Sequence, residues 1–194
     1  MVRQRPTIAD LRAMRGKRQY TMLRVETLDE LEAADRAGID MVSVPPAMML
    51  DRRFRDAGPG VFAVPGENFY EIGTADDFIR WAFPLYKAGA DALYCSGSFD
   101  TVRRLADEGM PIIGHVGLVP SKRTWTGGFK AVGKTVESAL RIMAAVRSYE
   151  AAGAFGVEIE VVPDAITAIV AEHVIGKQVL AVSSCAGSHR DQEQ

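Results

Sequence analysis

Short apolar, β-branched runs alternate with longer amphipathic runs from one end of this chain to the other, and that alternation restricts its fold more than any other feature. Tyr20–Val25, Met41–Val44, Val61–Val64, Ala92–Cys95, Pro111–His115, Gly156–Glu160 and Gln178–Val182 read as seven strands. Helices are predicted between them over Leu28–Ala37, Thr74–Ala88, Phe99–Glu108, Thr135–Ala152 and Asp164–Val174. Thr27 and Thr74 are N-cap candidates: Glu30 stands three residues after Thr27, and Asp76 and Asp77 lie in the turn after Thr74, where the helix dipole favours acidic groups. Gly38, Gly89, Gly109 and Gly153 supply the C-terminal stops. Pro84 should kink its helix or displace the boundary. Asp51–Gly60 reads as loop or short helix, and Gly117–Lys134 as a long segment with little periodicity.

Strict alternation of this kind implies a parallel sheet flanked by helices. The Ala-Gly-x-Asp turn at Ala37–Asp40 returns at Ala88–Asp91, with Ala152-Gly153-Ala154 related, so the units are equivalent. Equivalent βα units favour a (β/α)8 barrel of the TIM type over a doubly wound sheet, and neither a GxGxxG nor a P-loop pattern points to a nucleotide. Seven strands leave the last βα unit lacking. The chain is cut short, another segment fills the gap, or the sheet is open there with two unpaired edges. With 194 residues a single domain over 1–194 is the expectation.

Charge and cysteine content narrow the function classes. A formal charge of −2, from 23 basic and 25 acidic residues, gives no field for nucleic acid or anionic lipid. Cys95 and Cys185 form neither a disulfide scaffold nor a zinc spacing. The start lacks the apolar stretch of a signal peptide, and no apolar run reaches the roughly 18 residues of a membrane span, so a cytoplasmic protein is expected.

Barrel chemistry sits at the C-terminal ends of the strands. There the chain offers Glu26, Pro45-Pro46-Ala47, Gly66-Glu67-Asn68, Tyr94-Cys95-Ser96, His115, Glu158 and Glu160. His115 can act as general acid or base or as an oxygen-binding donor, unless backbone alone satisfies it. Glu158 and Glu160 are two apart on one strand and point to one face. At the rim they could bind a divalent cation or share a proton; a salt bridge to Arg or Lys is the plainer alternative. Glu160, nearer the strand end, is the better general base. Lys122–Lys130 mixes cations, aromatics and glycines, as a lid over an anionic substrate or as an ordinary surface loop. Cys95 has nothing beside it to lower its pKa and reads as a small core residue.

Gly114-His115-Val116-Gly117-Leu118-Val119-Pro120, Gly127–Lys134 and Ile159-Glu160-Val161-Val162-Pro163 closely resemble the ketopantoate hydroxymethyltransferase family, of the phosphoenolpyruvate mutase/isocitrate lyase superfamily. The resemblance runs from about residue 7 to about residue 182. It implies aldol-type hydroxymethyl transfer from methylenetetrahydrofolate to the enolate of 3-methyl-2-oxobutanoate, a small 2-oxo acid, in pantothenate biosynthesis. It further implies Mg2+ chelated by the oxo acid, Glu160 as base, His115 at the site, and a homo-oligomer without nucleic-acid or membrane partners.

The family's metal aspartates fall at Pro46 and at about Gly66, and its lysine and glutamate after the fourth strand fall at the substrate-binding positions Tyr94 and Ser96. Proline and glycine carry no side-chain oxygen for magnesium. Glu67, one position past the lost aspartate, Glu158, where the family is usually apolar, and Glu26, which ends strand one, are the candidates for a rebuilt metal site. Three readings follow: the family's own reaction, a divergent C–C lyase or aldolase on another 2-oxo acid, and a non-catalytic barrel that lost its metal site.

Overall fold

The computed structural model describes residues 4–67, 72–174 and 180–184. Helix α1 (Ile8–Ala13) comes first, and then strands and helices alternate: β1 (Met22–Arg24), α2 (Leu28–Arg36), β2 (Met41–Val44), α3 (Pro46–Met49), α4 (Phe54–Ala57), β3 (Phe62–Pro65), α5 (Ala75–Lys87) and β4 (Leu93–Tyr94). The second half continues with α6 (Phe99–Asp107), β5 (Ile112–Gly117), α7 (Arg123–Thr126), α8 (Val136–Ala151), β6 (Gly156–Glu160), α9 (Asp164–Ile169) and β7 (Leu180–Ser184). Thr7, Thr27 and Thr74 each close a reciprocal capping box, with Asp10, Glu30 and Asp77, so three helices start where their sequences place a hydroxyl and an acid three residues apart.

Every strand pairing is parallel and the strands follow one another in sequence order, as a right-handed βα barrel requires. The ladder is broken into β1-β2-β3 and β4-β5-β6-β7. Strand β4 is only Leu93–Tyr94, shorter than expected, and Asp91, just before it, is tied to Ala63 of β3 by its N–H to the Ala63 carbonyl at 3.0 Å and by its carboxylate. Among the described residues β7 pairs with β6 only and β1 with β2 only. Arg15, after α1, spans that side with a 3.1 Å bond to the Ala171 carbonyl.

Two apolar layers sit on the two faces of the strands. Val42, Val44, Ala63, Leu93, Ile112, Val116, Val157 and Ile159 pack outward against the helices. Met41, Phe62, Val64, Ala92, Ile113 and Phe155 point inward, and Leu11 of α1 plugs the interior among them. Phe62 and Phe155 meet inside with centroids 6.3 Å apart.

The repeated Ala-Gly-x-Asp turn has a structural reason. Gly38 (φ 81°) and Gly89 (φ 99°) end their helices in the left-handed conformation, which costs a glycine nothing. The aspartate then ties down the preceding strand: Asp40 accepts from Thr21 N–H at 3.0 Å, and Asp91 from Ala63 N–H at 2.8 Å. Gly153 keeps the conformation, but Phe155 goes into the core instead.

Of the two outcomes expected at Pro84, a displaced boundary does not occur: helix α5 runs through Pro84 to Lys87. The segment after β5 is not featureless: it holds a 3-10 turn over Pro120–Lys122 and then α7. Cys185 and Asn68 lie outside the described residues.

Candidate active site

Strands β5 and β6 bring the sequence's two strongest candidates together. Their register sets His115 opposite Glu158 and Gly117 opposite Glu160. His115 has the parity of Ile113, which faces the interior, so the imidazole and both carboxylates point inward above the apolar layer. The His115 Nε2 to Glu160 Oε2 distance is 2.7 Å, with the side chains 11% and 24% exposed, buried enough to be strong and open enough to reach a substrate.

The backbone fixes Glu160 in two ways. Gly117 sits at φ 87°, and a Cβ there would lie 2.2 Å from the Glu160 carbonyl oxygen, so only glycine lets β5 come this close. That approach permits a 2.9 Å bond from Leu118 N–H to the same oxygen. Val161, directly after Glu160, is held at φ 49°, a left-handed conformation rare for a β-branched residue. Its carbonyl accepts from Val132 N–H at 3.0 Å, which ties the long loop to the end of β6.

Electrostatics make this a proton-holding cluster. Burial alone would lower the His115 pKa, but the Glu160 hydrogen bond and the charges of Glu158, Glu160 and Glu67 outweigh it and raise the pKa above the ordinary value. Burial raises Glu158, reinforced by the Glu160 charge and opposed by His115 and a hydrogen bond from Tyr94. Burial likewise pushes the Tyr94 hydroxyl well up.

The remaining candidates have other partners. Ser96 donates to Glu67 from its backbone N–H and, at 2.6 Å, from its hydroxyl, so each Glu67 oxygen has a donor. Burial still raises the Glu67 pKa. Lys122, from the loop after β5, donates to the Ser96 carbonyl and holds that loop against the end of β4. The Tyr94 hydroxyl reaches the Met22 sulfur at 3.7 Å, across to β1. Burial pushes the Cys95 thiol up to about 12, as expected of a core residue. Beside His115 a groove of about 770 Å3 opens between the long loop and α8, with Phe99, Lys122, Trp125, Arg141 and Tyr149 along it. Trp125 is 93% exposed.

The residues present do not fit a magnesium ion. Pro46 and Gly66 offer no side-chain oxygen, Glu67 is bonded to Ser96, and Glu160 is bonded to His115. Glu158, Glu67 and Glu26, the candidate replacement ligands, therefore do not form a ligand set, and no three His, Cys, Asp or Glu side chains among the described residues do. A cation already stands there. A Cβ on Gly66 would lie 3.2 Å from Nη1 of Arg24, and that guanidinium bonds Ser43 Oγ at 3.2 Å and Glu26 Oε1 at 2.7 Å. Sequence reading had the signal for Arg24 and passed over it: it is the last residue of β1, two after the inward Met22.

Comparison with known proteins places the chain in a family. Residues 68–192 match the model of the family described as ketopantoate hydroxymethyltransferase. The 3-methyl-2-oxobutanoate hydroxymethyltransferase of Caldivirga maquilingensis is 30% identical over 90% of this chain and 74% of its own length. That of Thermus thermophilus is 30% identical over 96% and 79%. That of Cenarchaeum symbiosum is 37% identical over 61% of this chain and 45% of its own length. Among solved structures, phosphonopyruvate hydrolase in complex with oxalate and Mg2+ superposes with a TM-score of 0.63 at 17% identity, over 91% of this chain and 72% of that one. 2,3-Dimethylmalate lyase, a PEP mutase/isocitrate lyase superfamily member, gives 0.59 at 12% identity, over 91% and 80%. No helix among the described residues is long and apolar enough to cross a membrane. With parallel βα units in barrel order, an inward Glu160–His115 pair, and these relatives, the chain belongs to the ketopantoate hydroxymethyltransferase family.

Proposed function

We propose that this chain makes a carbon–carbon bond at C3 of a small 2-oxo acid, with 3-methyl-2-oxobutanoate as substrate and methylenetetrahydrofolate as one-carbon donor. The observation that supports this reading is the 2.7 Å contact between His115 Nε2 and Glu160 Oε2 on the inner face of the barrel. Glu160 removes the C3 proton, and the electron pair of that C–H bond moves into the enolate. Water hydrolyses the methylene bridge of the donor, breaking both of its C–N bonds to give formaldehyde and tetrahydrofolate, whose two amine nitrogens take the water's protons; the enolate carbon attacks the formaldehyde carbon, and the resulting alkoxide takes back the proton held on Glu160. His115, its pKa raised, holds a proton against Glu160 Oε2 and leaves Oε1 for the substrate. The groove beside His115 is the room for the larger donor. A 2-oxo acid next to Glu158 and Glu160 must present its C3 side to them, because its own carboxylate would be repelled.

A homo-oligomer belongs to the same reading, since a second copy would cover the edges of β1 and β7, each of which pairs on one side only among the described residues. Incubation of the full chain with both substrates, in EDTA and with Mg2+, followed by mass spectrometry for hydroxymethylated product, is the test. Product is expected, with a loss of about 100-fold or more in Glu160→Gln. No product in either condition, or full rate in the variant, overturns the reading and favours the non-catalytic barrel.

A further inference from the structure

The polar layer inside the barrel is divided by charge. On the β5–β6 side stand Glu158, Glu160 and His115, with Glu67 near enough to bias the imidazole. On the β1–β3 side stands Arg24, level with Ser43 in the strand register and over Gly66. Tyr94 lies between and senses both, with the Glu158 charge and the Arg24 charge acting in opposite directions on its hydroxyl. An anionic ligand entering this mouth meets repulsion on one wall and a guanidinium on the other.

Arg24 is built to receive an anion. A guanidinium carries five N–H donors in a rigid fork that matches a carboxylate. Among the described residues Glu26 Oε1 meets Nε and Ser43 Oγ meets Nη1, so these two contacts do not fill the fork. The side chain is 48% exposed, which leaves it open to the mouth. The lack of a Cβ at Gly66 makes room for Nη1: an aspartate at that position would start 3.2 Å from it.

We propose that the Arg24 guanidinium, rather than a divalent metal, receives the carboxylate of the 2-oxo acid. This rests on the substrate class read above and assigns the anchor for it. Bound so, the acid lies across the barrel with its carboxylate at the end of β1 and its C3 toward the β5–β6 wall. With no acidic side chain at Pro46 or Gly66, the positive charge facing the acid is carried by the chain itself, at Arg24.

Titration calorimetry of the full chain with 3-methyl-2-oxobutanoate, in EDTA and in Mg2+, is the experiment. The wild type is expected to bind equally in both. Arg24→Met should weaken binding about 30-fold, the equivalent of roughly 2 kcal/mol for charge-assisted hydrogen bonds, and Arg24→Lys should recover part of it. Glu26→Gln, which removes the competing carboxylate, should bind at least as tightly as wild type. Arg24 is half exposed, so the variants should fold; an unchanged thermal transition checks this. Binding that needs Mg2+, or that survives Arg24→Met, overturns the inference and leaves the proposed reaction standing. Binding through Arg24 without any product overturns the reaction and leaves the anchor. No binding in either condition overturns both.

Discussion

Alanine at position 117 should damage the protein out of proportion to one methyl group. The residue sits at φ 87°, where an alanine costs about 1 kcal/mol in the left-handed region. The new Cβ would lie 2.2 Å from the Glu160 carbonyl oxygen, about 1 Å short of the roughly 3.3 Å at which carbon and oxygen meet. The obstacle is backbone, so no rotamer relieves it; β5 and β6 must separate. Separation stretches the 2.9 Å bond from Leu118 N–H to that oxygen, worth about 1 kcal/mol, and overpacking adds about 1–3 kcal/mol. Gly117→Ala is thus expected to lose about 3–5 kcal/mol in equilibrium urea denaturation. Val161→Gly serves as the control, because it relieves a left-handed valine at φ 49° and should be neutral or stabilising by up to about 1 kcal/mol. A Gly117→Ala protein within 1 kcal/mol of wild type would refute the claim that close approach of these strands fixes Glu160.

Asp91→Ala should cost about 3 kcal/mol in the same assay, because it leaves the Arg55 guanidinium, only 23% exposed, without its Asp91 carboxylate and with the Val61 and Gly89 carbonyls alone, and leaves Ala63 N–H unbonded; a loss under 1 kcal/mol would show the pair to be incidental. The pH profile of stability carries a sign that can be checked. His115 is raised above 6.5, so its contribution is fully present below 6.5 and is lost as pH rises through its folded value; His115→Gln should flatten that slope, and an unchanged slope would contradict the pairing. Glu158 is raised by burial, so stability should also fall as pH rises from 4.5 through its folded value, and Glu158→Gln should remove that fall in urea titrations across the range.

Much of the fold was legible in the chain because local chemistry and global pattern agree. The β-branched runs became strands, the hydroxyl–acid pairs at Thr27 and Thr74 became capping boxes, and the repeated Ala-Gly-x-Asp turns became αL stops that bond back to the preceding strand. Helix α5 continues past Pro84 because its inner face, with Ala82 and Leu85 buried, offsets the lost bond. The assigned β4 is shorter than the apolar run Ala92–Cys95, yet backbone bonding reaches further: Leu93 N–H and Cys95 N–H bond the carbonyls of Pro111 and Ile113 at 2.9 Å each.

At the site, period-two alternation was enough to place Glu158 and Glu160 on one face, and the end of β5 was enough to bring His115 to them. What alternation could not give is partnership across the barrel. That Glu67 would bond Ser96 rather than stand as a ligand depends on where β3 and β4 end relative to each other. That Arg24 would lie over Gly66 depends on β1 and β3 flanking β2, a relation between residues 42 positions apart in sequence.

The central claim is that Glu160, held by His115, takes a proton from C3 of a 2-oxo acid. Proton NMR of 3-methyl-2-oxobutanoate in D2O with the full chain and no folate reads that step alone. The account predicts enzyme-dependent loss of the C3 proton signal, at least about 100-fold slower in Glu160→Gln. Exchange no faster than in buffer, or equal in the variant, would contradict it.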